Sequence, residues 1–183
     1  MKKACVFLAP GFEEVEGLTV VDLLRRAGVE LTMVSIEDTK AIAGSHGIQV
    51  EADKLLDEME YGDQDLLVLP GGMPGTLNLK NCDKLLAILH SFHKEGKKIA
   101  AICAAPTVFG HMGILDGKKA TCYPGCEDGL GKAEYLEENV VIDGNITTSR
   151  GVGTAIDFAL SLIAQLYGQA KADEIAASIV YKL

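Results

Sequence analysis

The amino-acid sequence predicts a three-layer α/β sandwich, with a mostly parallel sheet and helices on both faces. Three observations carry that expectation. Short apolar runs such as Cys5-Val6-Phe7-Leu8, Leu66-Leu67-Val68-Leu69 and Ile99-Ala100-Ala101-Ile102 lack polar alternation, as strands buried on both faces do. Segments with apolar spacing of i, i+3, i+4, i+7 separate those runs. Strand and helix alternate along the chain, and such alternation calls for crossovers around a parallel sheet.

The chain of 183 residues is long enough to bury a proper core, and no repeat, linker or low-complexity tract divides it. A single domain over residues 1–183 is therefore expected. A hydrophobic share of 48% without a long apolar run argues against a membrane span. The formal charge of −9 argues against nucleic-acid and anionic-membrane partners, which call for basic patches. The apolar start resembles a signal peptide but stops at Pro10-Gly11-Phe12-Glu13-Glu14 without a small-residue cleavage site, so it reads as the first strand. The five cysteines include no C-x-x-C pair and no zinc spacing. A reduced, cytoplasmic setting without a bound metal is expected.

In chain order, Ala4 to Ala9 reads as a buried strand. A helix follows from about Glu14 to Ala27, with Gly28 as its stop. Its apolar face is Val20, Leu23, Leu24 and Ala27, and extending that stripe back one turn lands on Glu16. Glu13 and Glu14 fit the first turn, where the helix dipole favours acids. Glu16 has two readings: buried with a raised pKa, or solvated at the helix mouth. Glu30–Ile36 is a second strand, and 41–52 a hairpin turning through Gly44-Ser45-His46-Gly47. Asp65–Leu69 is a third strand ending in Pro70-Gly71-Gly72-Met73-Pro74-Gly75, a loop that lets backbone approach a ligand. It lacks the lysine and Ser/Thr of a phosphate-cradling loop.

Cys82, Leu85, Leu86 and Leu89 mark the next helix, on which His90 and His93 read as solvated. The strand Lys97–Ile102 runs straight into Cys103-Ala104-Ala105-Pro106. Cys103 then sits either at a nucleophile elbow, lifted out of the sheet by a tight turn, or in the core like many free cysteines. Thr107–Leu115 continues as helix, and Lys119–Tyr123 as a short strand. Val140–Thr148 is a hairpin turning at Asp143-Gly144-Asn145. The face Ala155, Phe158, Ala159, Leu162, Ile163 and Leu166 gives the strongest helix, and about Ala170 to Val180 gives the last. Gly151-Val152-Gly153 is only a partial dinucleotide fingerprint, so no nucleotide cofactor is expected. The loop leading to Glu16, the Gly71-Gly72 loop and Cys103 all fall at carboxyl ends of strands, which favours the nucleophile reading.

Four blocks carry a resemblance over nearly the whole chain: Ala9-Pro10-Gly11-Phe12-Glu13-Glu14-Val15-Glu16, Leu69-Pro70-Gly71-Gly72, Ala100–Pro106 and Thr148–Thr154. In these the sequence resembles the ThiJ/PfpI superfamily, in its DJ-1 branch with bacterial relatives. The resemblance implies a flavodoxin-like fold of the class I glutamine amidotransferase type, and a homodimer. It matches Cys103 to a reactive, oxidation-prone cysteine and Glu16 to the protonated glutamate beside it. Gly72 and Ala104 match positions whose N–H groups face a bound oxyanion, with Gly71 and Tyr123 on the site wall. It implies cofactor-free glyoxalase or deglycase chemistry, or a redox-regulated protective or chaperone role.

Three departures matter. Tyr123 stands where relatives often carry a histidine, and Ala104 where a Cys–His peptidase or amidotransferase has its base, so peptidase chemistry is not expected. His46 replaces a frequent arginine. The expected partners are a small 2-oxoaldehyde or an oxidant, and a helix start at Cys103 is expected to lower its pKa.

Overall fold

The computed structural model describes residues 1–182. Its centre is a seven-stranded sheet built from β1 (Lys3–Leu8), β2 (Glu30–Ser35), β5 (Lys54–Leu55), β6 (Leu66–Leu69), β7 (Lys98–Ile102), β10 (Val140–Asp143) and β11 (Ile146–Ser149). The order is β10-β11-β7-β6-β1-β2-β5, parallel throughout except for the β10–β11 hairpin at one edge. Two small sheets sit outside it: β3 (Ala41–Ala43) with β4 (Gln49–Glu51), and β8 (Lys119–Ala120) with β9 (Glu134–Tyr135). The helices are α1 (Glu14–Arg26), α2 (Gly75–Lys80), α3 (Asp83–Lys94), α4 (Pro106–His111), α5 (Ala155–Tyr167) and α6 (Gln169–Ser178).

The apolar runs have no alternation because both faces of the sheet are covered. Ala4, Val6 and Leu8 of β1, with Val68 and Ile102, pack against α1, α5 and α6. Cys5, Phe7, Leu67, Leu69 and Ile99 point the other way, into Leu79, Leu85, Phe92 and Phe109 from α2, α3 and α4. Each large side chain fully buried here contributes roughly 1.5–3 kcal/mol. These two cores fix strand register, because a one-residue slip would exchange the faces. The cost of that slip is what holds the strand ends in place.

Several boundaries differ from the sequence expectation. The helix expected over 107–115 stops at His111, where Gly110 and Gly113 weaken it. The strand expected to reach Tyr123 ends at Ala120, because the chain turns to follow Cys103 and not a neighbouring strand. The six-residue α2 is too short to repeat an apolar face, so no periodicity marks it in the sequence.

Candidate active site

Four adjacent parallel strands, β11, β7, β6 and β1, deliver their carboxyl ends to one point, where loops from all four meet. Cys103 directly follows β7, and its backbone is left-handed with φ 66°. A side chain rarely adopts that conformation, at a cost on the order of 1–2 kcal/mol. Two hydrogen bonds hold it there: the Cys103 N–H donates to the Ser149 carbonyl at 3.0 Å, and the Tyr123 N–H donates to the Cys103 carbonyl at 2.8 Å. Cys103 therefore stands at an elbow, half-buried, and not in the core.

Glu16 is wholly buried on the inward face of α1, so the structure selects the buried reading. Its Oε2 accepts the Gly71 N–H at 3.0 Å, while Oε1 is buried and has no hydrogen-bond partner. The carboxyl also contacts the Cys103 thiol. Burial pushes the Glu16 pKa up to about 7, against the pull of the Cys103 and Gly71 hydrogen bonds. The group thus changes charge near neutrality.

The expected lowering of the Cys103 pKa is overturned. Burial pushes the thiol up to about 12, and the neighbouring Glu16 charge adds to the rise. The N–H groups of Gly72 and Ala104 face the sulfur and pull the other way. The helix dipole is a weak ally, because α4 has only six residues and begins three residues beyond Cys103.

Gly71 explains the close approach of these groups. A Cβ built there would lie 2.6 Å from the Cys103 Cβ and 2.8 Å from Glu16 Oε2. Gly72 has φ 92°, and a Cβ there would collide with the Glu13 nitrogen. Only bare backbone fits between the thiol and the carboxyl.

Cys103 and Glu16 open onto a cavity of about 1080 Å³, also lined by Glu13, His46, Met73, Tyr123 and Arg150. Tyr123 is 52% exposed. Glu14 stands in the first turn of α1, as expected, and is buried there. Burial works against its charge, but the His46 imidazole and the His46 and Ile48 N–H groups hold its pKa down to about 2. Glu14 thus pins the β3–β4 hairpin to α1, and His46 in return has a raised pKa from Glu14 and Glu13. Donor atoms of Glu13, Glu14 and His46 lie within 4.8 Å of one another, as metal ligands would. They already bond to each other, and the positive end of α1 beneath them disfavours a cation.

Sequence reasoning had no means to find the Glu14–His46 contact, which spans 32 residues, or the place of Arg150 in the cavity wall. His90 and His93 lie outside this site, and His93 Nδ1 is 3.3 Å from the Asn145 amide.

A parallel α/β sheet with a strained cysteine elbow, a buried carboxyl group and two backbone donors defines a class of proteins built around one elbow cysteine without a Cys–His pair. The chain belongs to the DJ-1/PfpI family, whose profile matches residues 2–165. It is 42% identical over 183 residues to Protein DJ-1 homolog B of Arabidopsis thaliana, covering 99% of this chain but 42% of that protein's length. It is 33% identical to the glutathione-independent glyoxalase DJR-1.2 of Caenorhabditis elegans, covering 95% and 94% of the two chains. The oxidized DJ-1 of Toxoplasma gondii superposes with a TM-score of 0.96 at 40% identity, each chain covered completely. The family therefore includes a glyoxalase that needs no glutathione. Among the described residues no helix is long and apolar enough to cross a membrane.

Proposed function

We propose that this protein is a cofactor-independent glyoxalase or deglycase-type enzyme acting on small 2-oxoaldehydes, such as methylglyoxal, or on their protein adducts. The observation that carries the reading is the contact between the Cys103 thiol and a buried carboxyl that titrates near 7. A base poised near the working pH is the effective one, and it supplies what a missing histidine would.

The steps follow from the residues. The Glu16 carboxylate takes the thiol proton as the Cys103 sulfur bonds to the aldehyde carbon. The carbonyl electron pair moves onto oxygen, where the Gly72 and Ala104 N–H groups stabilise it. Glu16 returns its proton to that oxygen, giving a neutral hemithioacetal. Glu16 then removes the proton of the former aldehyde carbon and delivers it to the oxygen of the adjacent carbonyl, giving an enediol. Protonation of the second carbon, as the hydroxyl on the first carbon gives up its proton and becomes a carbonyl, leaves a thioester of the 2-hydroxyacid. The first carbon is oxidised and the second reduced, so no external oxidant is required. Water cleaves the thioester and restores the thiol.

Steady-state formation of lactate from methylglyoxal tests the reading. Cys103→Ala is expected to abolish turnover, and Glu16→Gln to lower kcat by roughly 10²–10⁴-fold, the range of a general base. A wild type no faster than Cys103→Ala would sink it.

A second reading is favoured by the oxidized state of the Toxoplasma relative: a stress-protective protein whose Cys103 oxidises to sulfinate without turnover. Peroxide titration followed by peptide mass distinguishes it, since a Cys103 no more oxidisable than Cys82 removes it. We propose a cytoplasmic homodimer for either activity, and sedimentation analysis checks the dimer.

A further inference from the structure

We propose that Arg150 selects carboxylate-bearing small carbonyl compounds, pairing its guanidinium with the substrate carboxylate while the carbonyl carbon meets the Cys103 sulfur. The inference deepens the carbonyl reading above and rests on it.

Arg150 follows Ser149, whose carbonyl holds the Cys103 N–H at 3.0 Å. The Arg150 backbone therefore adjoins the carbonyl that positions the nucleophile. The Arg150 N–H donates to Thr154 Oγ1 at 3.2 Å, which fixes the base of the side chain. Arg150 is the single lysine or arginine among the residues lining the cavity.

Its donors are largely unspent. Arg150 Nε is buried with no hydrogen-bond partner among the described residues. The recorded ion pair of the guanidinium joins Nη1 to Glu137 at 3.3 Å, and the Glu137 side chain is 73% exposed. Such a rim pair is weak and easily exchanged. A guanidinium carries five N–H donors in a planar fork that fits a carboxylate with two parallel bonds.

No acidic residue lining the cavity pairs with this cation, whose ion pair is with Glu137 outside it, and Glu127 lies close enough to feel its charge. Glu13 sits 3.4 Å from the His46 imidazole and accepts the Ser45 hydroxyl, so it is engaged on the opposite wall. Glu16 is wholly buried and accepts the Gly71 N–H at 3.0 Å. Methylglyoxal itself carries no anion for Arg150 to bind. A 2-oxoaldehyde with a carboxylate at its far end uses both the thiol and the guanidinium. One end is held and the other reacts.

Paired alkylation rates test this without any turnover. Iodoacetate and iodoacetamide present the same methylene to the sulfur and lose the same iodide as the C–S bond forms, the thiol proton passing to solvent. They differ in carboxylate against carboxamide. Rates at Cys103 are read by peptide mass, with Cys82, outside the site, as the internal reference. The iodoacetate-to-iodoacetamide ratio at Cys103 is expected to exceed that at Cys82, and Arg150→Gln to lower it about tenfold, the worth of a charge-assisted pair. An unchanged ratio in folded Arg150→Gln overturns the proposal. Should that variant fail to fold, the exposed Glu137→Gln decides: freeing the guanidinium is expected to raise the ratio about two- to threefold, and no rise overturns the proposal. Loss of the glyoxalase reading, seen as turnover equal to Cys103→Ala, is a separate result and leaves the ratio to be judged alone.

Discussion

Replacing Glu16 by glutamine should abolish a dependence of stability on pH that the wild type shows between about 4.5 and 7. The carboxyl is wholly buried and its pKa rises from 4.5 to about 7, chiefly through burial. Between those values the folded chain keeps a proton that the unfolded chain releases. Because the native state binds more protons there, stability falls as pH rises. That stability is present in full below 4.5, declines across the window, and is lost above about 7. The shift corresponds to roughly 3 kcal/mol. Glutamine has nearly the same shape and can still accept the Gly71 N–H, but does not titrate. The difference in unfolding free energy between wild type and Glu16→Gln should therefore move by about 3 kcal/mol between pH 4.5 and 8, in disfavour of the wild type at the alkaline end. For a chain of this size that is roughly 6–12 °C in relative Tm. Other titrating groups, Glu14 included, occur in both proteins and cancel. Urea unfolding at a series of pH values measures the difference. A constant difference across the window would mean that Glu16 ionises like a solvated acid, and the argument for it as a neutral-pH base would fail.

The glycine between the two reactive groups gives a second expectation. Gly71→Ala drives a methyl group to within 2.6–2.9 Å of Cys103 Cβ, Glu16 Oε2 and the Ile102 carbonyl. Overpacking of this kind costs about 1–3 kcal/mol, and the alkylation rate of Cys103 should change with it. Gly28→Ala is the control, because its Cβ meets nothing within 4 Å and only its φ of +85° is strained. Equal Cys103 reactivity in wild type and Gly71→Ala would refute the close fit. Glu14→Gln removes the charge that receives the His46 and Ile48 N–H groups. It should cost roughly 1–3 kcal/mol and speed amide exchange in 41–51, while exchange in β1 and β6 stays unchanged.

The central strands and the position of Glu16 were legible because both depend on local pattern. Two-sided burial leaves unbroken apolar runs, and a carboxylate interrupting an apolar stripe is conspicuous at a spacing of four. Cys103 was legible as the residue that ends such a run. The partners of Glu14 were not legible because they lie on a hairpin 32 residues away, and nothing near it announces them. The thiol was misread for a physical reason: sequence shows that a helix follows, but not that it starts three residues late and spans six. Nor does sequence show the acid beside the sulfur, whose charge adds to the rise. Tyr123 was assigned to a strand because its neighbours are apolar, whereas its N–H is taken by the Cys103 carbonyl.

The left-handed turn at residue 103 is held by main-chain bonds alone, from Ser149 on one side and Tyr123 on the other. Neither bond involves the cysteine side chain. The backbone frame of the turn is therefore expected to survive replacement of the thiol by serine or alanine. Chemistry and scaffold can then drift independently over evolutionary time, the reactive atom exchanged or silenced by a single substitution while the rest of the fold stays as it was.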